Sequence, residues 1–498
     1  MRIPTIDLRV AALLYCITLS TCSILLSGGT IISFDDATSC LRIIENGSLL
    51  ITDDRITSIF DTSTPPNIPP GTEIIDCINK IISPGFVDTH RHGWQTVFKT
   101  LGSNTTLAEY LLRYGSGVAA PLFSPDDLYI SQLTGIYEAL NAGVTTILDH
   151  AHHTWTPEHA AMGLKASADS GARVFFGYAF QNSSADFGVP EQIAQWKNLK
   201  SSFESNTTDL VIAYDDWSGN PAGENTRAVI DLINTSNVSV LTTHSLEGPW
   251  LFGNTPTTLA TLNILNTTTA TIMSHASYLT PRDALLLRTY NKHISITPES
   301  EMHHGFLHPT SHLILDQASL GVDTHFTFST DILSQARLWL QTTRALIYQS
   351  VADRWEIPSK SPFSVTQAFL LATRNGGLAL GRPDLGVISV GAKADLVIFD
   401  GRSPALLGWR DAVAAVILHA GVGDMESVLV DGEFVKREGK LVVDGYEGVK
   451  TRFLEAAGRI QDVLEKTPLP AQEGSVIPGY TYGYIPQADV VRGEGTGY

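Results

Sequence analysis

Between Gly85 and Asp331 short apolar runs alternate with longer stretches of helical periodicity, and this alternation limits the fold more than any other feature of the chain. Eight candidate strands can be marked: Gly85–His90, Thr145–His150, Arg173–Ala179, Leu210–Tyr214, Val238–His244, Thr271–His275, His293–Pro298 and His325–Asp331. Segments such as Pro125–Ala142, Pro157–Gly171, Asn225–Thr235 and Pro281–Tyr290 lie between them with helical character. Eight β-then-α units over roughly 300 residues predict an α/β fold, a (β/α)8 barrel of the TIM type. A doubly wound open sheet is the other arrangement, but no Gly-rich phosphate fingerprint follows an early strand.

The flanks have a different texture. Ile24–Phe34, Gly47–Thr52, Ile56–Phe60 and Glu73–Ile82 are apolar or alternating runs separated by Asp-Asp and Pro-rich turns. Short strands return at Gly386–Val390, Asp395–Phe399, Val413–Leu418, Ser427–Val430 and Glu433–Lys436. The expected organisation is a first β-sandwich segment at 23–83, the barrel at 84–384, a second β-sandwich segment at 385–440, and a helix with an extended tail at 441–498. The two β segments are expected to fold together as one small domain beside the barrel.

Residues 1–22 read as a signal peptide: Arg2 and Arg9 precede an apolar run that is short for a membrane span, with small residues after it. A buried first strand is the other reading. Seven Asn-X-Ser/Thr sequons, at Asn46, Asn104, Asn182, Asn206, Asn234, Asn237 and Asn266, fit a secreted glycoprotein. Without that leader function the chain would be cytoplasmic. Cys40 and Cys77 are a candidate disulfide, with two free thiols as the alternative. A net charge of −18 excludes nucleic acid as a partner, and no stable membrane insertion is expected. A small-molecule substrate is the expected partner, and a homo-oligomer is left open.

In such a barrel the active site lies at the C-terminal ends of the strands. There the sequence places His90 and His92, then His150, His152 and His153, then His244 with Glu247, His275, the stretch Glu299–His304, and Asp331. Residues i and i+2 of a strand point to the same side, so His90 and His92 can reach one ion. With His244 and Asp331 they make a set of N and O ligands for one divalent metal, zinc above all, with iron, manganese or cobalt also accommodated. Trp94, His152, Glu247 and His304 are candidate substrate contacts, with loop packing the alternative for Trp94. Arg91, between two ligands, should point away from them.

The string Pro84–His92, PGFVDTHRH, resembles the opening barrel strand of the amidohydrolase superfamily. Gly386–Asp400, GVISVGAKADLVIFD, resembles that superfamily's return to its small β domain. THSLEG (243–248), SHASYLT (274–280), ITPESEMHHG (296–305) and FSTD (328–331) resemble the branch of nucleobase, methylthioadenosine and S-adenosylhomocysteine deaminases and triazine hydrolases. The resemblance implies metal binding by His90, His92, His244 and Asp331, and catalytic roles for Glu247, His275 and Asp331. The fourth strand carries no lysine, so one metal rather than two is expected.

The implied reaction is hydrolysis of a carbon–nitrogen bond, other than a peptide bond, in a small molecule. Deamination of an aromatic N-heterocycle comes first. The metal would make hydroxide available near neutral pH. Glu247 would shuttle protons and His275 would donate to the developing oxyanion. Hydrolysis of a linear or cyclic amide, or of a halogenated heterocycle, is the enzymatic alternative. A secreted metal-binding scaffold without turnover is the alternative of another class.

Overall fold

The computed structural model describes residues 23–182, 184, 186–468, 471–477 and 480–483. The leader expected at 1–22 lies outside the described residues. Eight parallel strands form one sheet in sequence order: β1 (Phe86–Arg91), β2 (Val144–Ala151), β3 (Arg173–Phe180), β4 (Thr208–Tyr214), β5 (Val240–Leu246), β6 (Ala270–Ser277), β7 (His293–Ile296) and β8 (Ala318–Leu320). A parallel bridge between Arg91 and Asp323 brings the last strand's extension back to the first, which makes the sheet a barrel. β1, β2 and β3 are buried at every position, the burial of strands that face a packed lumen on one side and helices on the other. Val87, Leu148, Phe175, Val211, Val240 and Ile272, one from each of β1–β6, form a cluster with Ala379, Leu380 and Leu385. The lumen is therefore a packed core, as expected for this barrel.

Local chemistry sets the helix starts. Ser124 caps Pro125–Asn141 and Thr280 caps Pro281–Tyr290, each with an aspartate at the third helical position closing the capping box and a proline at the first turn.

Both ends of the chain build one nine-stranded sheet. Lys80–Pro84 pairs antiparallel with Leu396–Asp400, which joins the N-terminal strands to those at Met425–Val430 and Glu433–Arg437. The Arg173 guanidinium, at the start of β3, grips Asp395 through Nε and Nη2 at 2.9 and 3.1 Å and also reaches Asp431. The helix Tyr446–Lys466 lays Ala457, Ile460 and Leu464 on an aromatic cluster containing Trp94, Phe98, Tyr114, Phe123 and Trp155.

Three expectations are corrected, and one alternative left open is decided. The eighth strand is Ala318–Leu320, not His325–Asp331. Val413–Leu418 is helical, a short turn at Ala412–Ala414 running into a wider one at Ala415–His419. Gly386–Val390 forms no strand: Val387 and Ile388 are buried, but the ties to Phe34 N–H and the Ser33 hydroxyl fall on one carbonyl, that of Ile388. Of the two readings for Cys40 and Cys77 the structure has the free thiols, one exposed and one buried. Burial pushes the Cys77 thiol up to about 12, so it is unreactive near neutral pH.

Candidate metal centre and active site

His90 on β1 and His92 just beyond it turn their Nε2 atoms toward the Asp323 carboxylate, at 3.3 and 3.2 Å from Oδ1. Nε2 of His244 on β5 lies 3.3 Å from Nε2 of His92. His275 at the end of β6 belongs to the same group, its ligand atom within 4.8 Å of those of His90 and His244. Four strand ends thus bring three imidazoles, a fourth close by, and one carboxylate to a common point.

The opposite nitrogens are all held. Nδ1 of His90 meets the Ser274 hydroxyl at 2.7 Å, that of His92 the His150 carbonyl at 2.9 Å, that of His244 the Asp215 carboxylate at 2.8 Å, and that of His275 the Thr297 hydroxyl at 2.9 Å. A ring nitrogen facing a carbonyl or a carboxylate must donate. The Nε2 atoms of His92 and His244 are therefore left with lone pairs facing inward. His90 Nε2 is buried with no hydrogen-bond partner. Converging, unprotonated nitrogens beside an ionised carboxylate in a buried site are costly alone and suited to a cation. The donor set, nitrogen and oxygen with partners behind each ring, fits a divalent ion such as zinc.

The electrostatics differ between the rings: at His244 burial lowers the group but the Asp215 carboxylate outweighs it and leaves it above the usual imidazole range. Burial holds His90 well below the usual imidazole range and brings His275 to about 4, so both stay neutral. For Asp323 burial alone would raise the carboxyl. The neighbouring His90, His92 and His275 imidazoles outweigh it and hold the group well below the usual carboxylate range. His275 and Ala276 sit at positive φ, 66° and 50°, where β6 bulges against β5. Such backbone is strained for residues with a Cβ and aims the His275 ring at the centre.

Asp331 does not take the place expected for it. Its carboxylate caps the helix Ile332–Ala352, accepting from the Ser334 backbone N–H at 2.6 Å and from the Ser334 and Ser329 hydroxyls. The carboxylate at the histidines is Asp323, three residues past β8. The signal for it lies in Leu320-Gly321-Val322-Asp323. A Cβ on Gly321 would come within 2.9 Å of His90 Cβ and 2.6 Å of Ser295 Oγ, so only glycine lets β8 close on β1 there.

The cavity over this centre has a volume of about 260 Å³. His92, His152, Asp215, His244, His275 and Asp323 line it, together with Leu107, Tyr110, Leu111, Leu246, Phe252 and Phe306 among others. Three expected substrate contacts are not among its lining residues. Trp94 is fully buried in the aromatic cluster and donates its Nε1–H to His152 Nδ1 at 3.1 Å. His304 is buried, bonded to the Thr105 carbonyl and the Thr324 hydroxyl. Glu247 follows Leu246 of the wall, and burial raises its carboxyl above the ordinary value, with Asp283 adding to the effect. His153 is fully buried against Phe176 and Trp155. Arg91 is also buried, and its guanidinium pairs with Asp88, donates to Thr330 and reaches the Gly135 carbonyl.

Asp215, at the end of β4, was not expected at the site. Four groups surround its carboxylate: the His244 N–H and the Thr243 hydroxyl at one oxygen, His244 Nδ1 and His150 Nε2 at the other. His150, fully buried, is held by burial at about 4.

A model described as "Amidohydrolase family" matches residues 81–435. A 5'-deoxyadenosine deaminase of Methanothermobacter thermautotrophicus is 25% identical over 410 residues, 80% of this chain and 91% of that protein. An adenosine deaminase from Xanthomonas campestris with bound zinc superposes with a TM-score of 0.73 at 17% identity, covering 89% of this chain and 99% of the other. Atrazine chlorohydrolase from Arthrobacter aurescens complexed with zinc gives 0.71 at 18% identity, over 87% of this chain and all of that one.

Proposed function

The chain belongs to the amidohydrolase family, and on that premise we propose that it is a metal-dependent hydrolase that removes an amino group from a small N-heterocycle. The observation that carries this reading is that the His90 and His92 Nε2 atoms meet Asp323 while the His244 Nε2 lies 3.3 Å from that of His92, with a partner behind every ring. These four residues would hold one divalent ion, zinc by the donor set. The ion supplies a water that ionises near neutral pH and a positive charge for developing negative charge.

The chain's own groups do the rest. Asp323, kept ionised, takes the proton of the attacking water and returns it to the departing nitrogen, so that water and an amino-substituted ring carbon become a carbonyl and ammonia. The Ser300 hydroxyl holds the second Asp323 oxygen through this cycle. His275, fixed through Thr297, faces the oxygen that gains charge. Glu247 is the candidate donor to a ring nitrogen, its carboxyl raised above the ordinary value by burial, the direction a general acid needs. Glu247→Gln should keep its metal and lose at least ~100-fold in turnover, the scale of one general acid. Retained turnover would remove Glu247 from the account and leave the proton cycle to Asp323. Ammonia release from aminopurines, aminopyrimidines and aminotriazines tests the reaction itself. A loaded enzyme that released none would redirect the reading to amides or halogenated rings.

The secretory reading has one support in the structure: all seven sequon asparagines are exposed. We propose N-glycosylation in a secretory pathway. A mass loss on treatment with a peptide N-glycosidase, after expression in eukaryotic cells, tests it; an unmodified chain retained in the cytosol would contradict it.

A further inference from the structure

The cavity that holds the centre also carries information about what enters it. Its two most exposed apolar members, Leu111 and Phe252, at 39% and 44% exposure, mark the mouth. Leu107, Leu246 and Phe306 continue the apolar wall inward, with the Phe306 ring edge-on to His275 at 4.9 Å between centroids. No lysine or arginine lines the cavity among the described residues, so a phosphate or carboxylate on the ring's substituent would find no cationic side chain. The two carboxylates that do line it each face imidazoles. Asp323 faces His90 and His92 with one oxygen and accepts from Ser300 with the other. Asp215 meets the His244 N–H and the Thr243 hydroxyl at one oxygen and the His244 and His150 rings at the other, with its side chain 41% exposed.

The neutral polar groups are largely committed too. The Asn254 amide is used on both sides, accepting from Ser218 N–H and donating to the Asp215 and His244 carbonyls. The Ser116 hydroxyl donates to the His152 carbonyl and accepts from Trp155. What remains lies at the inner end. His152 packs on His92 with centroids 4.0 Å apart, and because its Nδ1 accepts from Trp94 its Nε2 carries the proton. Gln181 donates its amide hydrogens to the His152 carbonyl and the Thr154 hydroxyl, which turns its amide oxygen to acceptor duty.

We propose that the substrate is an uncharged N-heterocycle whose substituent is apolar, in place of a sugar: the ring is read at the inner end by the His152 N–H and the Gln181 oxygen, and the substituent lies against Leu107, Leu111, Leu246 and Phe252. Hydroxyls of a ribose placed along that wall would leave water for carbon and go unpaired. The assignment rests on the deaminase reading above and sets this chain apart from the deoxyadenosine deaminase it resembles in sequence.

The test uses matched pairs on one ring, a propyl and a ribosyl derivative each of an aminopurine, an aminopyrimidine and an aminotriazine, with the zinc-loaded protein. On whichever ring releases ammonia, kcat/KM should be at least tenfold higher for the propyl member, and Leu111→Glu at the mouth should shrink that ratio. A ribosyl member turned over equally well or better overturns the proposal. If no ring releases ammonia, calorimetric binding of the same pairs decides. Tenfold tighter binding of a propyl member keeps the pocket assignment and sinks deamination. Tighter ribosyl binding, or no binding by any member, overturns the pocket assignment.

Discussion

Asp215 Oδ2 lies 2.8 Å from His244 Nδ1 and 3.1 Å from His150 Nε2, so one carboxylate at the end of β4 ties together rings from the ends of β5 and β2. The bond to His244 fixes that ring's tautomer and leaves Nε2 free to ligate. Asp215→Asn should lower metal affinity by roughly 10- to 100-fold, the usual scale for losing such a partner. Competition with a chelator measures it; an unchanged affinity would show that Asp215 does not set the His244 tautomer.

Asp331→Ala gives the opposite pattern. The helix Ile332–Ala352 loses its N-terminal cap, which costs about 1 kcal/mol. Metal content should not change. Thermal melting and elemental analysis on one preparation check both halves, and loss of metal would return Asp331 to the site.

Much of this was legible because barrel strands buried on both sides leave long apolar runs, and because His-X-His on a strand has one geometric meaning. The first seven strands appear as apolar runs in the sequence, and His90, His92, His244 and His275 stand at three of their ends. The eighth strand was not legible. It is three residues long, and the run His325–Asp331 beyond it looked more like a strand than Ala318–Leu320 did. That error carried the carboxylate from 323 to 331. Asp215 was missed for a different reason: one of two adjacent aspartates after an apolar run looks like a turn, and only the closed barrel brings it to His244 and His150. Trp94 looked like a stacking platform by its position two residues after His92. Phe98, Phe123 and Trp155 meet its ring edge-on, within a cluster that the C-terminal helix, hundreds of residues away in sequence, also joins.

Stability should fall as pH rises from acid to neutral through the half-buried Glu299 and the buried Glu301. Burial raises Glu299 and Glu301 from 4.5 to about 7, helped at Glu299 by Asp331. The folded state therefore holds these protons more tightly than the unfolded one. Their contribution is full below about 4.5 and lost as pH passes about 7, on the order of 1–3 kcal/mol per group. Urea unfolding at pH 5 and pH 8 should show the decline, and Glu299→Gln should make it shallower. An unchanged slope in the variant would contradict the assignment.

Arg173→Ala should cost about 3–5 kcal/mol, because it leaves the Asp395 carboxylate, 2% exposed, without its cation. The drop in Tm would report the tie between β3 and the terminal β sheet. A change under about 1 kcal/mol, the level of a surface pair, would show that the tie is dispensable.

The most direct test of the central claim is the metal content of the wild-type chain and of Asp323→Asn after equal exposure to zinc and removal of excess. The account predicts about one ion per wild-type chain, a site largely empty in the variant, and ammonia release that follows occupancy. Full occupancy in Asp323→Asn, or turnover in a chain stripped of metal, would contradict it.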